Sequence, residues 1–238
     1  MPARVLHLCK FNFADQDIRV VNAETDGGTS ISGLSDRIQS DGGGFWQADF
    51  TNADFGGPAD EDRAVVLAWR SIQAGLAGGV AAVVRFCDRH HQPVYGTYQA
   101  PRFQPPPLTD ESEYVSIGAE ASVIAVRNGQ TGGLNATIMD IAIASERPLI
   151  GGERFTYIHP VWGERCAEII TVDAVAGGKR IQFQPPIRGG IAPGDALDFN
   201  DPRCRMVRIS QPTNALNQGV WATASLTMVE DMRPPVTA

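Results

Sequence analysis

Between residues 151 and 194 the chain is broken five times by a pair that disfavours a helix interior. These are Gly151-Gly152, Gly177-Gly178, Pro185-Pro186, Gly189-Gly190 and Pro193-Gly194. Glycine supplies the positive φ of tight turns, and proline removes a ladder donor. The runs expected as strands in this region, 154–158, 167–175 and 180–184, are five to nine residues long, which suits strands and is short for helices. Expected strands are 122–127, 137–144, 154–158, 167–175, 180–184, 196–198, 205–209 and 220–229. A sandwich or barrel is the architecture this punctuation permits.

The N-terminal part reads differently. Short strands are expected at 4–9 and 18–21. A polar, Gly-rich insert (23–44) follows, of a length that fits an extended loop or a long hairpin. FWQADF (45–50) alternates apolar and polar residues with period two. Pro58 and the acids Asp60, Glu61 and Asp62 then mark a helix start. Val65, Trp69, Ile72 and Leu76 form one apolar stripe over a helix at 59–76, which Gly78-Gly79 terminates. The strand 80–87 comes next. Pro101, Pro105, Pro106 and Pro107 mark a linker at 101–112. The predicted fold is mainly β with one packed helix: an α+β part over 1–100 and a β-sandwich or barrel-like part over 113–238. The final strand, 220–230, is a candidate to return to the first part.

Charge narrows the function. Acids outnumber bases 27 to 20, giving −7. The deficit is −4 up to residue 110 and −3 beyond it. Neither half carries the basic stripe that a phosphate-binding surface needs, so specific nucleic-acid binding is not expected. No apolar run is long enough to span a membrane as a helix. Eighteen of the twenty bases are Arg, which favours planar, partly buried pairing or reflects codon bias.

Catalytic signals are weak. Cys87-Asp88-Arg89-His90-His91 contains metal-ligand types, but adjacent histidines on a strand point to opposite faces. His159 and Cys166 lie where a hairpin turn would bring them near each other, as a nucleophile–base pair requires. A turn-supporting histidine explains the same spacing. The carboxylates Glu164/Glu168 and Asp195/Asp198 are unspecific. No phosphate loop, dinucleotide fingerprint or nucleophile elbow is present. No cofactor, no metal site and no enzymatic activity are expected.

The C-terminal third carries an ordered set of features: Gly151/Gly152, Pro185-Pro186-Ile187-Arg188, Gly194-Asp195, Asp201-Pro202, the strand Met206–Ile209 and a last strand ending Met228–Glu230. In this order they resemble the distal (minor) tail proteins of siphophages and gene-transfer agents. The strand–helix–strand of residues 45–87 resembles the same group more loosely. The resemblance implies a structural virion protein of the tail tip, made in the bacterial host cytoplasm. Its implied form is a homo-oligomeric, hexameric ring. Its implied partners are the tail tube protein, a hub or baseplate protein and the tape-measure protein. Subunit-interface candidates are Arg37, Pro185, Pro186, Arg188, Asp201 and Arg205. A tail-tip receptor- or carbohydrate-binding module, with Trp46, Tyr157, Trp162 and Trp221 as candidate aromatics, is the alternative. A peptidoglycan hydrolase is a third.

Overall fold

The computed structural model describes residues 4–6, 8–11, 13–22, 24–29, 31–33, 35–39, 43–56, 60–86, 124–126, 132–143, 149–199, 201–211, 213–217 and 221–233. The chain is mostly β with one packed helix. In order the elements are β1 (Arg4–Leu6), β2 (Asp15–Val21), β3 (Glu24–Thr29), β4 (Ser35–Gln39), β5 (Phe45–Gly56), α1 (Asp60–Gly75) and β6 (Ala82–Arg85). Then come β7 (Ile124–Val126), β8 (Gly132–Ile143), β9 (Arg154–His159), β10 (Gly163–Val175) and β11 (Gly178–Ile191). Last are β12 (Ala196–Leu197), β13 (Arg203–Arg208), β14 (Thr213–Asn217) and β15 (Trp221–Glu230). The expected linker at 101–112, Pro58 and the Cys87–His91 cluster lie outside the described residues.

The first sheet has the order β1-β6-β13-β15-β5-β2, with β14 also paired to β15. The strands after residue 200 therefore leave the C-terminal part and pair with the N-terminal one. β15 lies between β13 and β5, antiparallel to both. Its alternate residues Ala224, Leu226, Met228 and Glu230 point inward and are buried. Period-two burial is what fixes its register.

The β5 strand is twice as long as its alternation predicted. Trp46, Ala48 and Phe50 are buried on even numbers, then Ala53 and Phe55 on odd ones. The phase changes at a bulge, where the β15 register shifts between Ala224 and Leu226. Asn52 takes φ 57° there. One extra residue restores the apolar set to the core face, and it also hides the strand's continuation from a period-two reading.

Helix α1 packs its predicted stripe on this sheet. Trp69 is fully buried, and Ile72 and Leu76 nearly so. The Trp69 indole meets Phe11, Phe13 and Phe55 edge-on at centroid distances of 5.3, 5.8 and 6.0 Å. Such offset aromatic contacts each add on the order of 0.5–1.5 kcal/mol beyond area burial.

The second sheet has the order β12-β7-β8-β11-β10-β9. Its ends meet: Thr156 in β9 and Asp198, just after β12, exchange two backbone hydrogen bonds of 2.8 and 2.9 Å. The sheet thus curls into a small barrel-like closure, which removes an exposed edge. Phe155, Ile169, Ile181, Phe183, Ile187 and Phe199 are among the residues filling its interior.

Pro185 and Pro186 were expected to mark a strand end or edge. They instead lie inside β11, which runs on to Ile191. The ladder makes room for them. β10 pairs with β11 only as far as Gln184, and β8 partners resume at Ile187. The prolines fall in the gap, where no ladder donor is needed.

The insert between Ala23 and Gly44 contains a hairpin. β3 and β4 pair with each other as a separate two-stranded sheet.

Candidate interaction site at the junction of barrel and sheet

The outer side of β10 rests on the first sheet, and polar groups tie the contact. Trp46 Nε1 donates to the Cys166 carbonyl at 2.7 Å, and the Trp46 backbone N–H donates to Glu230 Oε2 at 3.2 Å. Glu230 Oε1 accepts from Arg165 at 3.0 Å, and both side chains are almost wholly buried. Arg165 also donates to the Asp231 carbonyl at 2.5 Å. Beside this pair, Arg205 meets Asp231 at 3.0 Å, and Arg233 donates to Asp231 at 2.7 Å. Burial alone would raise the Asp231 pKa. Hydrogen bonds from Arg233 and the charges of Arg233 and Arg205 outweigh it and hold the carboxyl below its ordinary value.

A second tie lies further along. Arg154 donates to Glu168 at 2.9 Å and to the Ile18 carbonyl at 3.0 Å. Its guanidinium sits 5.3 Å from the Trp46 ring centroid. The Thr156 hydroxyl donates to the Arg203 carbonyl and accepts the Arg203 N–H.

A cleft of about 520 Å³ opens at this junction. β5 supplies Phe45 to its lining, with Gly44 just before it. The end of β15 supplies Val229 and Glu230, and Met232 follows; Leu134 comes from β8, Arg188 from β11 and Trp162 from the β9–β10 turn. Apolar atoms dominate. Glu230 is present, but both its oxygens are already engaged. Arg188 donates to the Gly44 carbonyl at 2.7 Å. Its Nε is buried without a hydrogen-bond partner, and no carboxylate pairs with it among the described residues.

The predicted interface residues fall in different places. Arg188 lines the cleft. Pro185 and Pro186 are buried inside β11, and Pro186 closes on Gly43 so tightly that a Cβ there would lie 2.1 Å from its Cδ. Asp201 is spanned by Arg85 at 3.0 Å and Arg203 at 3.2 Å. Arg205 is paired with Asp231. Arg37 lies in β4 opposite Asp26, in the hairpin. Asp201 and Arg205 therefore spend their charge within the chain. Arg165, Glu230 and Asp231 carry the junction, and only Glu230 had a sequence signal, as the acid ending the last strand.

The His159/Cys166 spacing does not assemble a nucleophile and base. Cys166 lies opposite Thr156, and His159 opposite Gly163. The Cys166 thiol is buried and its pKa is pushed well up by desolvation, which keeps it protonated. His159 Nδ1 accepts the N–H groups of Val161 and Trp162 at 3.0 and 3.1 Å, and its ring stacks on Trp162 at 4.2 Å. Its pKa is lowered by burial and by the charge of Arg165. It supports the turn. Glu168 is engaged by Arg154, and Asp195 accepts the Ala192 N–H. Among the described residues no three metal-ligating side chains cluster, and no helix is long and apolar enough to cross a membrane. Of the four candidate sugar-stacking aromatics, Trp46 and Tyr157 are buried and Trp162 is half-buried at the cleft. The side chain of Trp221 lies outside the described residues.

The chain matches no protein-family model and no curated protein.

Proposed function

We propose that the chain is a structural subunit of a phage-type tail, assembling into a ring at the distal end of the tail tube and joining that tube to the hub or baseplate. The observation that carries this reading is the β3–β4 hairpin, a separate two-stranded sheet between edge strand β2 and central strand β5. An arm of this kind costs the monomer ordering entropy and returns little core. It is accounted for when a neighbour covers it. The ordered C-terminal turn features support the same reading through their resemblance to distal tail proteins. The acidic balance suits a conduit that passes DNA without holding it. Arginine pairs buried at the junction hold barrel and sheet in one orientation, as a joining piece between unlike partners requires.

The glycan-binding alternative is served less well. A sugar site needs several open hydrogen-bonding groups, and in this mainly apolar cleft both Glu230 oxygens are already engaged, which leaves Arg188. The test is imaging of purified particles from the parent element with the chain labelled. Density and label at the tail tip, between tube and hub, are expected. A chain absent from particles would end the proposal.

A further inference from the structure

The tip of the hairpin carries a bare apolar side chain. Ile31, in the turn between β3 and β4, is 110 % exposed, more than any other large hydrophobic residue described. Nothing among the described residues covers it. The apolar cleft stands at the root of the same arm: Gly44 and Phe45 line it, and Gly44 lies against Val21 and Asn22, which precede β3. A single molecule thus presents a knob at the arm's tip and a hole at its root. Six residues of β3 span roughly 20 Å. Knob and hole are therefore separated by about one arm's length.

From this we infer that Ile31 of one copy seats in the cleft of the next copy, between Phe45, Leu134, Trp162, Val229 and Met232. The inference rests on the ring reading above and specifies its contact. A knob complementary to a hole elsewhere on the same molecule makes a head-to-tail contact, which closes a ring when the rotation permits. Charge agrees with apolar fit. Residues 24–39 hold the acids Glu24, Asp26 and Asp36 against one base, Arg37, a net −2. The cleft holds Arg188, which has no carboxylate partner among the described residues. An acidic arm lying across Arg188 supplies that partner. Leu134 and Met232, 71 % and 40 % exposed, are the walls the knob would cover.

The test uses the full chain with Cys9 and Cys87 replaced by Ser. One preparation carries Ile31→Cys and another Leu134→Cys. Mixed and oxidised, they are expected to give a disulfide-linked pair well above what either gives alone. Separately, Ile31→Asp is expected to weaken self-association about tenfold or more per contact. Its circular dichroism should be unchanged, because Ile31 touches no core. Rings that persist in Ile31→Asp, with no mixed disulfide, overturn the inference and leave the ring reading standing. A wild-type chain that never self-associates overturns both. Loss of binding to a tube protein with self-association intact makes that protein the occupant, and overturns the second copy.

Discussion

Arg165 and Glu230 are 65 residues apart in sequence and 3.0 Å apart in space, each almost wholly shielded from water. One belongs to the barrel and the other ends the last strand of the first sheet. The Glu230 carboxylate is also the acceptor for the Trp46 N–H of β5. One side chain thus joins β10, β15 and β5.

Removing either partner leaves a buried charge without its counter-charge. Glu230→Ala is expected to destabilise the fold by about 3–5 kcal/mol, read as a lower urea midpoint. Arg165→Met with Glu230→Leu should recover part of that loss: no charge is left buried alone, while the Trp46 N–H and the Asp231 carbonyl lose their partners. A double variant as unstable as Glu230→Ala would show that the pair contributes through something other than charge.

Two groups near the junction give stability an acid limb. Asp231 has a native pKa below its unfolded value. Its contribution is complete above the ordinary carboxylate pKa of about 3.9 and is lost as pH falls through its lower native value. His159 is also lowered. The unfolded chain takes up that proton first, so stability declines as pH falls below about 6.5 and levels off below the native pKa. Urea midpoints measured from pH 7 to pH 3 should fall in both ranges. Asp231→Asn should flatten only the lower one.

Both described thiols are sealed. Cys166 and Cys204 are buried, and desolvation raises the pKa of each. In a chain with Cys9 and Cys87 replaced by Ser, a thiol reagent at neutral pH should label neither without denaturant. Both should react once urea is added. Rapid labelling of the folded chain would mean that the barrel parts from the sheet.

The base of the hairpin has no room for a side chain. Gly44 takes φ +87°, and a Cβ there would lie 2.2 Å from Asn22 Oδ1 and 2.9 Å from the Val21 carbonyl. Gly44→Ala is expected to cost about 1–3 kcal/mol in thermal or urea unfolding. Gly133→Ala, with nothing within 4 Å of its Cβ, should stay within about 0.5 kcal/mol of wild type.

Much of the fold was legible where one face of an element is buried. The stripe Val65, Trp69, Ile72, Leu76 marked α1 because four turns of helix repeat the same face. β9 and β10 announced themselves by apolar runs between glycines, and β15 by the run that follows Gly219. Legibility ended where local pattern and long-range pairing part company. The Asn52 bulge reverses the phase of β5 halfway along. Pro185 and Pro186 read as a strand end because ladder gaps are a property of two neighbours, not of one strand. β14 is polar, TNALN, and exists because β15 offers it an edge. Of the junction, Arg165 gave no signal at all. An arginine in a strand reads as solvent-facing until its acid, 65 residues on, is folded against it.

The most direct measurement is the solution mass of the purified chain by light scattering, with negative-stain images of the same fraction. Closed rings with a mass near six times 25.6 kDa are the expected result. A single species of 25.6 kDa at every concentration, with and without the tube protein, would contradict it.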